Sequence, residues 1–173
     1  LGVDEKLEKK LGTFQLMCAN LTKLNMHDAL FLLRNSFALP RLVYILRASP
    51  CFASPVLQRF ENCLRDAVET LINCQLSDFT WSWASLPVKQ GGLGIRSPLD
   101  VSLPAFLASV RGSQKLSNEI YSASAEDVML ERALDCWCDK FGFEVPEDLG
   151  KQKEWDEICC ADRVRKITDE AQK

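Results

Sequence analysis

Three groups of residues in this chain have types and spacings that bear on chemistry: the glycines of "LPVKQGGLGIRSP" (86–98), a single histidine, and eight cysteines. The first stretch packs Gly91, Gly92 and Gly94 between Lys89 and Arg96, with a proline near each end. Such density suits a phosphate-cradling loop, because backbone N–H groups must come close to the anion. However, no strand pattern precedes the stretch and no Lys-Ser/Thr follows its last glycine. Neither the dinucleotide fingerprint nor the P-loop is therefore present. A sharp turn with φ > 0 at one or two glycines is expected, with Leu93 and Ile95 inserted into the core.

His27 stands beside Asp28, a pairing that could serve acid–base work. One histidine supplies neither a nucleophile triad nor a zinc hydrolase site. Both residues suit the first turn of a helix, where a carboxylate complements the dipole. Cys136, Cys138, Cys159 and Cys160 offer four thiolates. On a helix a CxC pair points about 200° apart and an adjacent pair about 100° apart, and the C-x₂₋₄-C knuckle is absent. The carboxylates of "EDLGKQKEWDE" read as a solvated face, and no Asp pair is placed as a two-metal polymerase needs. The expectation is no catalytic residue, no metal, no cofactor and no independent enzyme activity.

The N-terminal "LGVDEKLEKKL" has no apolar signal region and no initiating Met. That points to an intracellular fragment of a longer protein, in cytoplasm or nucleus, with free thiols. The longest apolar runs, "ALFLL" and "LVYIL", are interrupted by Arg34 and Arg41 well short of the ~20 residues of a membrane span. No membrane association is expected.

Charge is unevenly spread. Residues 1–33 are net zero, residues 34–118 are net +4 (nine basic, five acidic), and residues 119–173 are net −7 (eight basic, fifteen acidic). A mildly basic centre beside an acidic end suits phosphate contact in the middle and a protein partner at the end.

The elements that must position these groups read as helices throughout. Leu7, Leu11, Phe14, Cys18 and Leu21 form one apolar stripe. Asn25 or His27 starts a second helix, and Pro40 resets the chain into a third, "PRLVYILRA". Ser54-Pro55 caps a long helix to about Gln75, with Leu57, Phe60, Leu64 and Val68 buried and Glu61 on the polar side. Ser77 or Asp78 caps a short helix through Ala84, in which Trp81 and Trp83 point to different surfaces. Ser97-Pro98 opens a helix to about Gly112, kinked near Pro104. Ser124 with Asp127 resembles a capping box for a helix ending at Gly142, and a last helix starts near Lys151. The fold expected is all-α, an irregular bundle of about seven helices with a Gly-rich turn in its middle. Its two parts would be a helical domain at 1–118 and an acidic helical extension at 119–173.

Three stretches in this order, "HDALFLLRNSFALPRLVYILRASPCF" (27–52), "LRDAVETLINCQLSD" (64–78) and "WASLPVKQGGLGIRSPLDVSLPAFLASV" (83–110), resemble one family. It is the region after the catalytic palm in reverse transcriptases of non-LTR (LINE-type) retrotransposons. Leu1-Gly2 resembles the end of the primer-grip motif of that family. The resemblance covers roughly residues 1–112 and does not extend to the rest. It implies a helical thumb that positions a template–primer duplex, with Arg34, Arg41, Arg47, Lys89 and Arg96 as contacts to backbone phosphates. Such contacts hold a duplex, RNA–DNA or DNA, without reading its sequence, and weaken with salt. The palm aspartates are missing, so the chain would be non-catalytic. The alternative is a helical protein-interaction module, or orphan retroelement product, that uses its acidic C-terminal helices and binds no nucleic acid.

Overall fold

A proline inside a helix removes an N–H donor and crowds the carbonyl four residues back. The computed structural model, which describes residues 2–120 and 128–172, shows how the chain answers this at Pro40. Helix α2 (Met26–Leu32) widens into a π turn, Leu33–Phe37, and passes into α3 (Leu39–Ala48) with Pro40 in its first turn. The Ala38 N–H reaches back to the Leu33 carbonyl at 3.0 Å, the bond of a π turn. Pro40 therefore starts a helix as expected without breaking the rod that precedes it. The resulting rod, Met26–Ala48, is the one helix among the described residues long and apolar enough to meet the length and composition of a membrane span. Arg34 and Arg41 do not exclude it on length, contrary to expectation. In this structure its Leu33, Leu42 and Leu46 are fully buried in the core.

The other helices are α1 (Val3–Leu21), α4 (Pro55–Ile72), α5 (Asp78–Ala84), α6 (Pro98–Ile120), α7 (Val128–Phe141) and α8 (Gln152–Ala171). No strand occurs among the described residues. The fold is all-α, with seven helical rods among the described residues when α2 and α3 are counted as one. Local capping chemistry sets three of the helix starts. Asn25 accepts from the Asp28 N–H, Ser54 from Val56 and Ser77 from Thr80. Helix α4 stops at Ile72, before Gln75, because Asn73 adopts the left-handed conformation (φ 52°). The proposed cap at Ser124 and Asp127 lies outside the described residues.

Helix α6 departs most from expectation. It passes through Pro104 without a break and through Gly112 to Ile120. Gly112 lies against Gly150, where a Cβ on either glycine would come within 3.5 Å of the other's backbone. Gly112 is thus a crossing point for the loop between α7 and α8, not a helix stop. The apolar residues of α6 divide between two cores. Val101 and Ala105, four residues apart, join the N-terminal core built on α1, the α2–α3 rod and α4. Leu103, Phe106 and Leu107 join a second core with Trp137 and Trp155. The rings of Phe14 and Phe60 stack at 4.4 Å in the first core, and Trp137 meets Trp155 edge-on at 4.6 Å in the second. The acidic third is therefore packed onto α6, and a boundary at 118 would fall inside that helix.

Gly12 sits exposed in the interior of α1, with nothing within 4 Å of a Cβ added there. Glycine in a helix interior costs roughly 0.5–1 kcal/mol against alanine. Gly12→Ala is expected to raise the unfolding free energy, and with it the chemical-denaturation midpoint, by that amount, whereas Gly92→Ala should lower the free energy by about 2 kcal/mol or more. A Cβ on Gly92 would overlap the Leu86 carbonyl. Equal midpoints for the two variants would contradict this assignment.

Candidate nucleic-acid interface

The glycine stretch folds back on α5. The Leu93 N–H donates to Ala84 O (2.9 Å) and the Gly94 N–H to Leu86 O (2.9 Å). Gly91 (φ 85°) and Gly94 (φ 73°) take the left-handed conformation expected for one or two of the three glycines. Trp83 braces the turn by donating its indole N–H to Gly91 O (3.1 Å). Of the two anticipated plugs, Ile95 is buried (1% exposed) and Leu93 is not (45%). Residues two apart in an extended segment point to the same side, but Leu93 and Ile95 straddle Gly94, whose positive φ turns the chain between them and separates the two side chains.

The five basic residues implied by the resemblance go to three different places. Arg34 lies in the π turn beside Gly94 and donates to Leu93 O at 3.5 Å, so it supports the turn. Lys89 pairs with Glu157 (3.1 Å), and Arg96 pairs with Asp156 (2.5 Å) and also donates to the Cys160 sulfur (3.0 Å). Arg96 is 16% exposed. Both charges of the glycine stretch are thus engaged by α8, which was unforeseen. Arg47 is exposed and donates to the Gln152 side chain at the start of α8 (2.9 Å). Arg41 contacts neither the turn nor α8 in this way, and its guanidinium lies 5.7 Å above the Phe37 ring.

Arg41 is joined by residues that sequence reasoning passed over. Helix α1 turns Lys6, Lys9 and Lys10 toward α3, and these four cations rim a groove of about 520 Å³ between the two helices. Phe14 and Phe60 form its floor, and Phe37, Tyr44 and Ile45 its α3 side. No carboxylate among the described residues lies within 4.0 Å of any of the four cations. Two of the three acids of α1 are engaged elsewhere: Asp4 accepts from Ser54 and Glu8 pairs with Arg59, while Glu5 makes no ion pair among the described residues. The i, i+3, i+4 spacing of Lys6, Lys9 and Lys10 was the available signal. It was lost when residues 1–33 were averaged to zero charge.

A second polar group lies inside the molecule. Glu61, expected on the polar side of α4, is 7% exposed and accepts from Trp81 Nε1 (2.8 Å) and Ser97 Oγ (2.7 Å). Arg163 of α8 bonds Asp100 (2.5 Å) and Ser85 Oγ (2.5 Å). Burial pushes the Asp100 carboxyl up, and the Arg163 charge only partly offsets it; Asp156 is likewise raised by burial against Arg96. A carboxyl with a raised folded value favours folding below its unfolded value, about 3.9. That contribution is lost as pH rises through the folded value. Relative to Asp100→Asn, the native chain should therefore be more favoured at about pH 3.5 than at pH 7. Urea midpoints of both proteins at both pH values check this, and an unchanged difference would refute it.

The groups first weighed for catalysis stay apart. His27 is exposed in the first turn of α2. The Cys51 thiol is pushed up to about 11, chiefly by burial, and burial likewise raises Cys159 and Cys160. All eight cysteines are free. Among the described residues no group of three or more His, Cys, Asp or Glu side chains is arranged to hold a metal ion. No known protein family, curated protein or solved structure matches the chain.

Proposed function

We propose that this chain is a non-catalytic helical module that positions template–primer nucleic acid through its backbone phosphates, in the manner of a reverse-transcriptase thumb. The observation that supports it most is the α1–α3 face, where Lys6, Lys9, Lys10 and Arg41 stand around an aromatic groove without carboxylate partners among the described residues. Unpaired cations on rigid helices meet a polyanion at little cost in ordering or desolvation, and contact it without sequence preference. The resemblance of residues 1–112 to the post-palm region of non-LTR reverse transcriptases points the same way. Of the residues that resemblance implied, Arg41 belongs to the proposed face and Arg47 remains exposed on the same helix. Lys89 and Arg96 instead hold α8 in place. The protein-partner alternative is less favoured, because Asp156 and Glu157 of the acidic end are already engaged by those two residues.

The test is equilibrium binding of the full chain to an RNA–DNA hybrid duplex across a salt series. The full chain is required because truncation at 118 would strip the α7 and α8 partners from Leu103, Phe106 and Leu107. Affinity that falls steeply with salt supports the proposal. No binding above a neutral control at low salt overturns it.

A further inference from the structure

A phosphate backbone needs cations, but it has no use for an aromatic wall between them. The α1–α3 groove has both. Tyr44 is 79% exposed on its edge, and the Tyr44 hydroxyl has no partner among the described residues. Phe37, under Arg41, lines the same groove. The groove's volume, about 520 Å³, falls within the range of clefts that enclose a small planar ligand.

We infer that this groove takes one unpaired nucleobase against Tyr44 and Phe37, with the phosphates of its strand on Lys6, Lys9 and Lys10. The ligand is a single-stranded segment adjoining the duplex, which presupposes the phosphate-binding reading of the same face. Bases inside a duplex have both faces stacked and a blunt end exposes one face of a rigid pair, so only an unpaired base can leave the stack and enter a groove between side chains. Charge complementarity favours a strand. Four unpaired cations exceed the single charge of one phosphodiester, whereas consecutive phosphates supply one charge each. Lys6 and Lys10 are one helical turn apart, about 6 Å along the axis, so they can serve successive phosphates. The groove thereby distinguishes a duplex end with an overhang from a blunt one, which phosphate contacts alone do not.

The experiment compares two probes on the full chain: a blunt RNA–DNA hybrid, and the same hybrid with a short overhang carrying the fluorescent base 2-aminopurine. The overhang probe is expected to bind about tenfold more tightly and to lose fluorescence on binding. Tyr44→Ala should abolish the preference and the quenching, and Tyr44→Phe should keep both. Tyr44 is exposed, so neither change disturbs the core. Equal binding of the two probes, unaffected by Tyr44→Ala but weakened by Lys9→Gln/Lys10→Gln, overturns the base pocket and leaves phosphate binding standing. Displacement of the overhang by an equal concentration of ATP overturns it in favour of a free nucleotide. Failure of both probes to bind at low salt overturns both readings.

Discussion

The double variant Lys9→Gln/Lys10→Gln is expected to bind an RNA–DNA hybrid with about half the salt dependence of the native chain. Each cation that neutralises a phosphate adds roughly 0.9 to the slope of log affinity against log salt. With Lys6, Lys9, Lys10 and Arg41 all engaged, the native slope is about −3.6 and that of the double variant about −1.8. Raising salt from 50 to 200 mM would then weaken the native complex about 150-fold and the variant only about 12-fold. Glutamine has nearly the helix propensity of lysine, and neither lysine makes an ion pair among the described residues. Stability should therefore be unchanged, and any loss of affinity reports on the interface. Lys89→Gln provides the contrast. Lys89 is engaged with Glu157, so its removal should leave the slope as it was. A slope that falls for Lys89→Gln and not for the double variant would return the glycine stretch to the interface and remove α1 from it.

The largest expected loss of stability is at Glu61. Its carboxylate is buried among α4, α5 and the start of α6, and accepts from Trp81 and Ser97. Glu61→Ala would leave both donors buried without an acceptor and open a cavity beside them. Each unsatisfied buried group costs about 1–3 kcal/mol, so a total near 3 kcal/mol is expected. For a chain of this size that lowers Tm by about 6–12 °C. Glu61→Gln keeps an oxygen for the indole N–H, and the Ser97 hydroxyl can reverse its bond, so a loss near 1 kcal/mol is expected. Thermal unfolding of the two variants separates these outcomes. A loss below 1 kcal/mol for Glu61→Ala would mean that water reaches the site and satisfies the donors.

The path from sequence to site was uneven, for identifiable reasons. Helix starts at Asn25, Ser54 and Ser77 were legible because a cap acts within three residues of itself. The α6 terminus was not, because Gly112 signals a stop locally while its tertiary role is close approach to Gly150. Glu61 has a polar side chain on an amphipathic helix, and only the arrival of Trp81 and Ser97 from later elements makes a buried acceptor worth keeping. For the candidate face, Arg41 was legible as a basic residue on an apolar helix. Lys6, Lys9 and Lys10 were hidden by the acids between them, since a linear charge average ignores which side of a helix a residue occupies.

By itself the sequence determined an all-α chain, the caps that begin its helices, the left-handed glycines of the central turn and the apolar stripes of α1 and α4. These depend on forces acting over one or two helical turns. Tertiary structure alone decided which cations are free. Lys89 and Arg96 find their carboxylates 68 and 60 residues away on α8, while Asp4 and Glu8 of α1 turn toward Ser54 and Arg59 and away from its lysines. A charge can be counted from the chain, but whether it is neutralised depends on what folds within about 4 Å of it, and that distance is set by packing.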